Sequence, residues 1–124
     1  MSGPVRHIVM WRLRGDTPQE RIAARAKVKS AFEGLRGLID GLTHVEIGVD
    51  VSGVDYACDV VLVSEFTDRA ALEAYATHPE HLRVRQELAD LRIARFQVDY
   101  LADEEAMAFA GGPSHRRSEV VAGE

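Results

Sequence analysis

The chain has 124 residues, 46% of them hydrophobic and 28% charged, and its formal net charge is −5 at pH 7. This length fits one domain whose core is large enough to need no disulfide bond. The acidic balance argues against nucleic acid as a partner, since nucleic-acid binding needs a basic face. The absence of an apolar run of roughly 18 residues argues against a membrane span.

Cys58 is the single cysteine of the sequence, so an intrachain disulfide is excluded. A chain without disulfides fits a reducing compartment. The first residues also lack a hydrophobic run of signal-peptide length. The sequence therefore predicts a cytoplasmic protein, in which Cys58 is interpreted as a small core residue and not as a nucleophile.

The first predicted element is a strand over 5–13, because apolar and polar residues alternate there. A helix follows. Thr17 can cap it, Pro18 suits its first turn, and Glu20 completes a capping box. Closely spaced glycines then predict that this helix ends near Arg36.

Two more strands are predicted after the first helix. The segment 43–51 has one apolar face, and 59–66 is apolar on both faces, as in a strand covered on both sides. Asp68 can cap a short helix, and Pro79 allows a second helical segment directly after it. Alternation returns over 93–101 and predicts a fourth strand.

The predicted order of elements is β-α-β-β-α-β, which is the split βαβ arrangement of an α+β, ferredoxin-like fold with a four-stranded antiparallel sheet. The helices of this arrangement cover one face of the sheet. Strands one and three are nevertheless apolar on both faces, and a large exposed apolar sheet is rare in a monomer. A second copy of the same sheet would cover it, so the sequence predicts a homodimer.

The composition changes after the fourth strand. Five acidic residues stand against two basic ones in this last part, which also contains the run Gly111-Gly112-Pro113-Ser114. We therefore predict a domain over 1–101 and an acidic, Gly/Ser-containing C-terminal tail over 102–124 that lies outside the core.

His7 is the first candidate for chemistry. It belongs to the apolar row of the first strand, together with Val9 and Trp11. A neutral imidazole near physiological pH can serve as a general base. The same position also suits a core histidine that is bonded to a backbone carbonyl, and the strand pattern leaves both interpretations open.

The segment 75–81 holds the densest cluster, with Tyr75, His78 and His81 at positions i, i+3 and i+6. A tyrosine hydroxyl can stabilise an enolate oxygen while an imidazole takes a proton. His78 can instead cap the turn before Pro79. The His-x-x-His spacing is also found in zinc sites, but zinc needs three or four protein ligands. No metal and no cofactor are therefore predicted.

Several blocks resemble the stress-responsive A/B barrel (Dabb) family, and together they span about 5–101. The resemblance implies a ferredoxin-like protomer and a dimeric α/β barrel. Most bacterial members have no assigned function, some plant members are stress proteins, and one plant member is a polyketide cyclase that closes a linear polyketide by aldol condensation. The blocks are 6–13, 38–42, 61–66, 74–81 and 98–100.

Similarity to the cyclase implies the site residues. His81 would take the α-proton, Tyr75 would hold the carbonyl or enolate oxygen, and His7 would line the pocket as a third catalytic candidate. The cyclase has consecutive aromatic residues on its first helix where this chain has Val28-Lys29, with Phe32 further on. The predicted pocket-lining residues are His78, Val9, Trp11, Val28 and Phe32.

Three functions fit this sequence. The first is a homodimer that binds a small apolar carbonyl compound and carries out cofactor-free proton transfer, as in a cyclase-like aldol reaction. The second is a non-catalytic stress-response or scaffold dimer. The third is a cofactor-free monooxygenase, which rests on fold analogy. A pocket shared by His7, Tyr75 and His81 would favour the first, whereas a filled core with backbone-bonded histidines would favour the second.

Overall fold

The computed structural model describes residues 3–102, in which four antiparallel strands form one sheet in the order β2-β3-β1-β4. The predicted α+β ferredoxin-like fold is confirmed. The predicted tail over 102–124 lies outside the described residues, apart from Ala102. The elements are β1 Val5–Leu13, α1 Pro18–Glu33, β2 Leu42–Val49, β3 Val60–Phe66, α2 Arg69–Ala76, α3 Pro79–Leu88 and β4 Arg92–Leu101.

The first helix begins at the predicted capping box. The Thr17 hydroxyl accepts from the Glu20 N–H at 3.1 Å, and the Glu20 carboxylate accepts from the Thr17 N–H at 3.3 Å. The helix ends at Glu33, earlier than predicted, because the next backbone bonds span three residues, as in the tighter bond from the Leu35 N–H to the Phe32 carbonyl.

The second strand also ends earlier than predicted, at Val49. The chain turns at Asp50, whose carboxylate accepts from the Ser52 hydroxyl at 2.8 Å and from the Gly53 N–H at 2.9 Å. Val51 is 99% exposed as a result, although its alternation with Val49 had predicted one continuous apolar face.

The core lies between the sheet and the helices. The odd-numbered residues of β1 point into it, and the Trp11 ring stacks on the Phe32 ring of α1 with centroids 5.2 Å apart. The guanidinium of the buried Arg92 lies 5.0 Å from the centroid of the Trp11 ring, which places a cation against an aromatic face. This cluster fixes α1 over the sheet.

The opposite face of the sheet carries no helix and is apolar at its centre. Ile8 pairs with Val98 and Met10 with Phe96 across β1 and β4, so these side chains form one patch. Val98 is 61% exposed, and Phe96 and Met10 are each more than 40% exposed. The described chain thus leaves an apolar sheet face open to solvent.

Among residues 3–102, no helix combines the length and the apolar character that crossing a lipid bilayer requires.

The turn between α1 and β2 depends on Gly41. This residue has φ +84°, and an added Cβ would lie 2.6 Å from the Cβ of Ala71 on α2. Gly37 has a similar φ of +77°, with nothing within 4 Å of an added Cβ.

We expect Gly37→Ala to lower the free energy of unfolding by about 1 kcal/mol, through backbone strain alone. We expect Gly41→Ala to lower it by about 2–3 kcal/mol, because α2 must also shift.

Urea unfolding of the two variants beside the wild type measures both effects. If both variants lose the same free energy of unfolding, the contact with Ala71 does not contribute, and the positive φ alone explains the loss.

Candidate functional site

A cavity of about 540 Å³ opens between α2, α3 and the helix side of β1 and β4. Beyond the buried Arg92, the positions of β4 on this side carry Arg95, Gln97 and Asp99, which remain partly open instead of closing a core. The lining combines this polar strand with apolar side chains from the neighbouring elements, among them Val5, Leu72, Ala76 and Leu101.

Tyr75 and His81 form one wall of the cavity. Tyr75 lies near the end of α2 and His81 in the first turn of α3, and their rings stack with centroids 4.1 Å apart. The Nδ1 of His81 lies 3.2 Å from the carbonyl oxygen of Ala76. Because a carbonyl oxygen only accepts, Nδ1 carries the hydrogen, and Nε2 is the basic nitrogen of the neutral ring.

His7 approaches the same cavity from β1. Its ring lies edge-on to Tyr75 at 6.0 Å between centroids, and only 3% of the residue is exposed. The Nδ1 of His7 lies 2.6 Å from Oδ1 of Asp99, the residue opposite it on β4. The carboxylate accepts this bond, which fixes the tautomer and the orientation of the imidazole.

Asp99 is held in turn by its own strand. Its Oδ2 accepts from the Gln97 side-chain amide at 2.9 Å, and the Gln97 amide oxygen accepts from the guanidinium of Arg95. These side chains sit on alternate residues of β4, so their polar groups follow one another along the cavity. A hydrogen-bonded chain therefore runs from Arg95 to His7.

The structure thus brings three of the predicted site residues, His7, Tyr75 and His81, to one cavity. His78 lies elsewhere and caps α3, with its Nδ1 accepting from the Glu80 N–H at 3.0 Å. That is the alternative that the His-Pro sequence had left open. Among the residues the structure describes, no three metal-binding side chains lie together.

Four residues predicted to line the pocket lie instead in the core, where each is fully buried; they are Val9, Trp11, Val28 and Phe32. The reason is that α1 packs directly onto the sheet at this point, so facing side chains fill the space between them. The cavity therefore lies next to α2, α3 and β4, and not next to α1 as the predicted lining residues had implied.

Sequence reasoning did not single out Asp99, although a signal was present. The first and last strands of a ferredoxin-like sheet are neighbours, so a buried histidine on one has a cross-strand partner on the other. Antiparallel pairing in the observed register places Asp99 opposite His7, 92 residues away in the chain. The exact register was the missing information.

Cys58 lies outside this site, beside a smaller cavity of about 310 Å³. Burial raises the pKa of the Cys58 thiol, and this effect exceeds the lowering by the nearby Arg12. The thiol therefore stays protonated at neutral pH, where a nucleophilic cysteine would need to be a thiolate. The structure places it as a partly buried residue.

The chain resembles known proteins over most of its length. The family model described as Stress responsive A/B Barrel Domain matches residues 5–102. The Arabidopsis thaliana protein DABB1, a stress-response A/B barrel domain-containing protein, is 29% identical over 117 residues, which are 89% of this chain and 52% of the relative. The chain thus spans about half the length of this curated relative.

Two solved structures share the fold. A dimeric protein of unknown function with a ferredoxin-like fold from Bacteroides fragilis is 34% identical, with 81% of this chain and 97% of that chain covered and a TM-score of 0.71. The hydroxynitrile lyase of Passiflora edulis is 18% identical, with 84% and 97% covered and a TM-score of 0.68.

Proposed function

Because the chain belongs to the stress-responsive A/B barrel domain family, we propose that it is a homodimer that binds a small carbonyl compound and transfers a proton on it without a cofactor. The observation that carries this proposal is the convergence of His7, Tyr75 and His81 on one cavity. The cavity volume of about 540 Å³ lies within the range of ligand pockets, which are roughly 300–1,000 Å³.

The proposed chemistry begins at His81. Its Nε2 takes a proton from the carbon next to the ligand carbonyl, and the C–H electron pair moves into the new C=C bond. Negative charge then develops on the carbonyl oxygen, where the Tyr75 hydroxyl donates a hydrogen bond. The enolate carbon either regains a proton or forms a bond to a second carbonyl carbon of the same molecule, whose oxygen takes the proton. The second course is an aldol closure.

His7 and Asp99 support this step from the floor of the cavity. Since the Nδ1 hydrogen of His7 is donated to Asp99, the other ring nitrogen, Nε2, carries the lone pair of the neutral ring. We propose that Asp99 acts through His7 as a positioning residue. A histidine held this way can take up at Nε2 the proton that His81 removed and release it to the oxygen of the second carbonyl.

The helix-free face supports the homodimer. It exposes a contiguous apolar patch around Val98, Phe96 and Met10, and such a patch typically marks an interaction surface. The similar protein from Bacteroides fragilis is dimeric. A second copy of this sheet is the partner that we propose for the patch.

A non-catalytic stress-response or scaffold dimer is the second candidate. It is favoured by the bond from His81 Nδ1 to the Ala76 carbonyl and by the capping role of His78, since both are structural roles. The open cavity argues for the first candidate, because a scaffold would need only a filled core. Trp11, which had suggested a monooxygenase, lies in the core, so that function is not proposed.

The test is hydrogen–deuterium exchange at the carbon next to a carbonyl. Ketones and keto acids of graded length are incubated with the protein in D₂O, and loss of the α-proton signal is followed by ¹H NMR. We expect exchange faster than with free imidazole at the same concentration, because a bound ligand is oriented towards the base. If no compound of the panel exchanges faster than with imidazole, the non-catalytic dimer becomes the better description.

A further inference from the structure

The residues that line the cavity have a net positive charge, whereas the whole chain has a net negative charge. The sequence has 20 acidic residues and 15 basic ones, yet the cavity is lined by three arginines, Arg69, Arg85 and Arg95, and two acids, Glu73 and Asp99. The carboxylate of Asp99 already accepts from His7 and Gln97. The lining therefore has a cationic excess in an acidic protein.

Arg85 is the arginine that points to a ligand. It lies four residues after His81 on α3, so both side chains occupy the same face of the helix, with Cβ atoms about 5–6 Å apart. Within the described residues its guanidinium has no hydrogen bond or ion pair to a side chain. None of the residues one turn away in either direction is acidic; they are His81, Leu82, Leu88 and Ala89.

Arg83 on the same helix shows the contrast. Its guanidinium binds Glu80 at 3.0 Å and Glu87 at 2.6 Å on the outer surface. On the same helix, the charge of Arg83 is thus balanced by two acids, whereas neither of these acids pairs with Arg85 at the cavity. In a chain with an excess of acids, the second arrangement leaves a site for an external anion.

We propose that the ligand of this cavity is a keto acid, whose carboxylate is bound by Arg85 while its ketone reaches Tyr75 and His81. This inference rests on the proposed function and names its substrate class, an anionic ligand in place of the neutral apolar one expected from the sequence. The fork of a guanidinium matches the two oxygens of a carboxylate. Leu72 and Ala76 supply apolar surface for the carbon chain between the two polar ends.

A matched pair of probes tests the inference. The acid is 4-oxo-4-phenylbutanoate, which carries a ketone and a carboxylate, and the control ligand is its methyl ester, which lacks the charge. Affinities are measured by NMR titration at low salt, where charge recognition is screened least. We expect the acid to bind the wild type about tenfold more tightly than the ester, as for a hydrogen bond between charged groups.

Arg85→Gln should weaken binding of the acid about tenfold and binding of the ester less than twofold, so that the preference disappears. The matched control is Arg83→Gln, which removes the same charge from the same helix outside the cavity and should preserve the preference. Both positions are exposed, and glutamine is a good helix former, so both variants should fold.

Equal binding of acid and ester by the wild type would overturn the keto-acid inference and leave the proposed function standing. Equal loss of both ligands in Arg85→Gln would overturn it in the same way, because the arginine would then act through shape and not through charge. Binding of neither probe would also overturn it. Exchange measured on neutral ketones decides separately whether the cavity acts on carbonyl compounds at all.

Discussion

Replacing His81 by glutamine is expected to lower the rate of α-proton exchange by about 10²–10⁴-fold, the usual contribution of a positioned general base. Glutamine is close to histidine in size and can still donate to the Ala76 carbonyl, but it cannot take a proton at neutral pH. The exchange rate of a responsive ketone in D₂O, measured at equal protein concentrations, provides the comparison.

His78→Gln is the matched control, because it changes the other histidine of the same segment. It should weaken the cap of α3 and lower stability by about 1 kcal/mol, while the exchange rate stays within a few-fold of the wild type. Tyr75→Phe, which removes a single hydroxyl, should also slow exchange. If His78→Gln and His81→Gln lower the exchange rate equally, the loss comes from a disturbed α3, and His81 is refuted as the base.

The same variants show whether His81 holds the fold. We expect His81→Ala to remain folded and dimeric although the substitution leaves a void, because the ring is not itself a member of the hydrophobic core cluster and stacks on it at Tyr75. If the alanine variant fails to fold or to dimerise, His81 is structural, and Tyr75→Phe then becomes the test of catalysis.

Val98→Asp is expected to convert the proposed dimer into a folded monomer. The side chain lies on the helix-free face of β4, paired with Ile8 of the neighbouring β1, and a second sheet packed on it would bury the new carboxylate without a partner. Burying an unpaired charge costs several kcal/mol, which is enough to abolish association at micromolar concentration. Sedimentation velocity gives the mass, and circular dichroism checks the fold.

Ile22→Asp is the control for this prediction. Ile22 is 64% exposed and Val98 is 61% exposed, so the two substitutions place the same charge on equally open apolar positions of the described protomer. Ile22 lies on α1, away from the sheet face, and its variant should remain dimeric. A dimer in both variants would show that the patch around Val98 is not the interface.

The two interpretations of His81, structural and catalytic, are compatible in this geometry. An imidazole has two nitrogens, and here the bond to the Ala76 carbonyl is made by Nδ1. The bond that anchors the ring also determines which nitrogen is basic. A backbone-bonded histidine is therefore not by itself a sign of a purely structural role.

The sequence by itself determined the elements and their order, since their signals are local. Alternation over 5–13 set β1 and its buried face, and the capping box at Thr17 set the start of α1. His78 and Pro79 marked the junction of α2 and α3. Strand and helix ends were less well predicted, because Val49 and Glu33 end their elements through turns that alternation and spacing do not describe.

Only the tertiary structure decided where the cavity lies. Periodicity shows which face of a strand or helix is buried, but not whether a facing side chain fills the space. Trp11 and Phe32 fill the space under α1, whereas the polar residues of β4 leave it open beside Tyr75 and His81. The pairing of His7 with Asp99 likewise depends on the strand register, which the packing of the whole sheet sets.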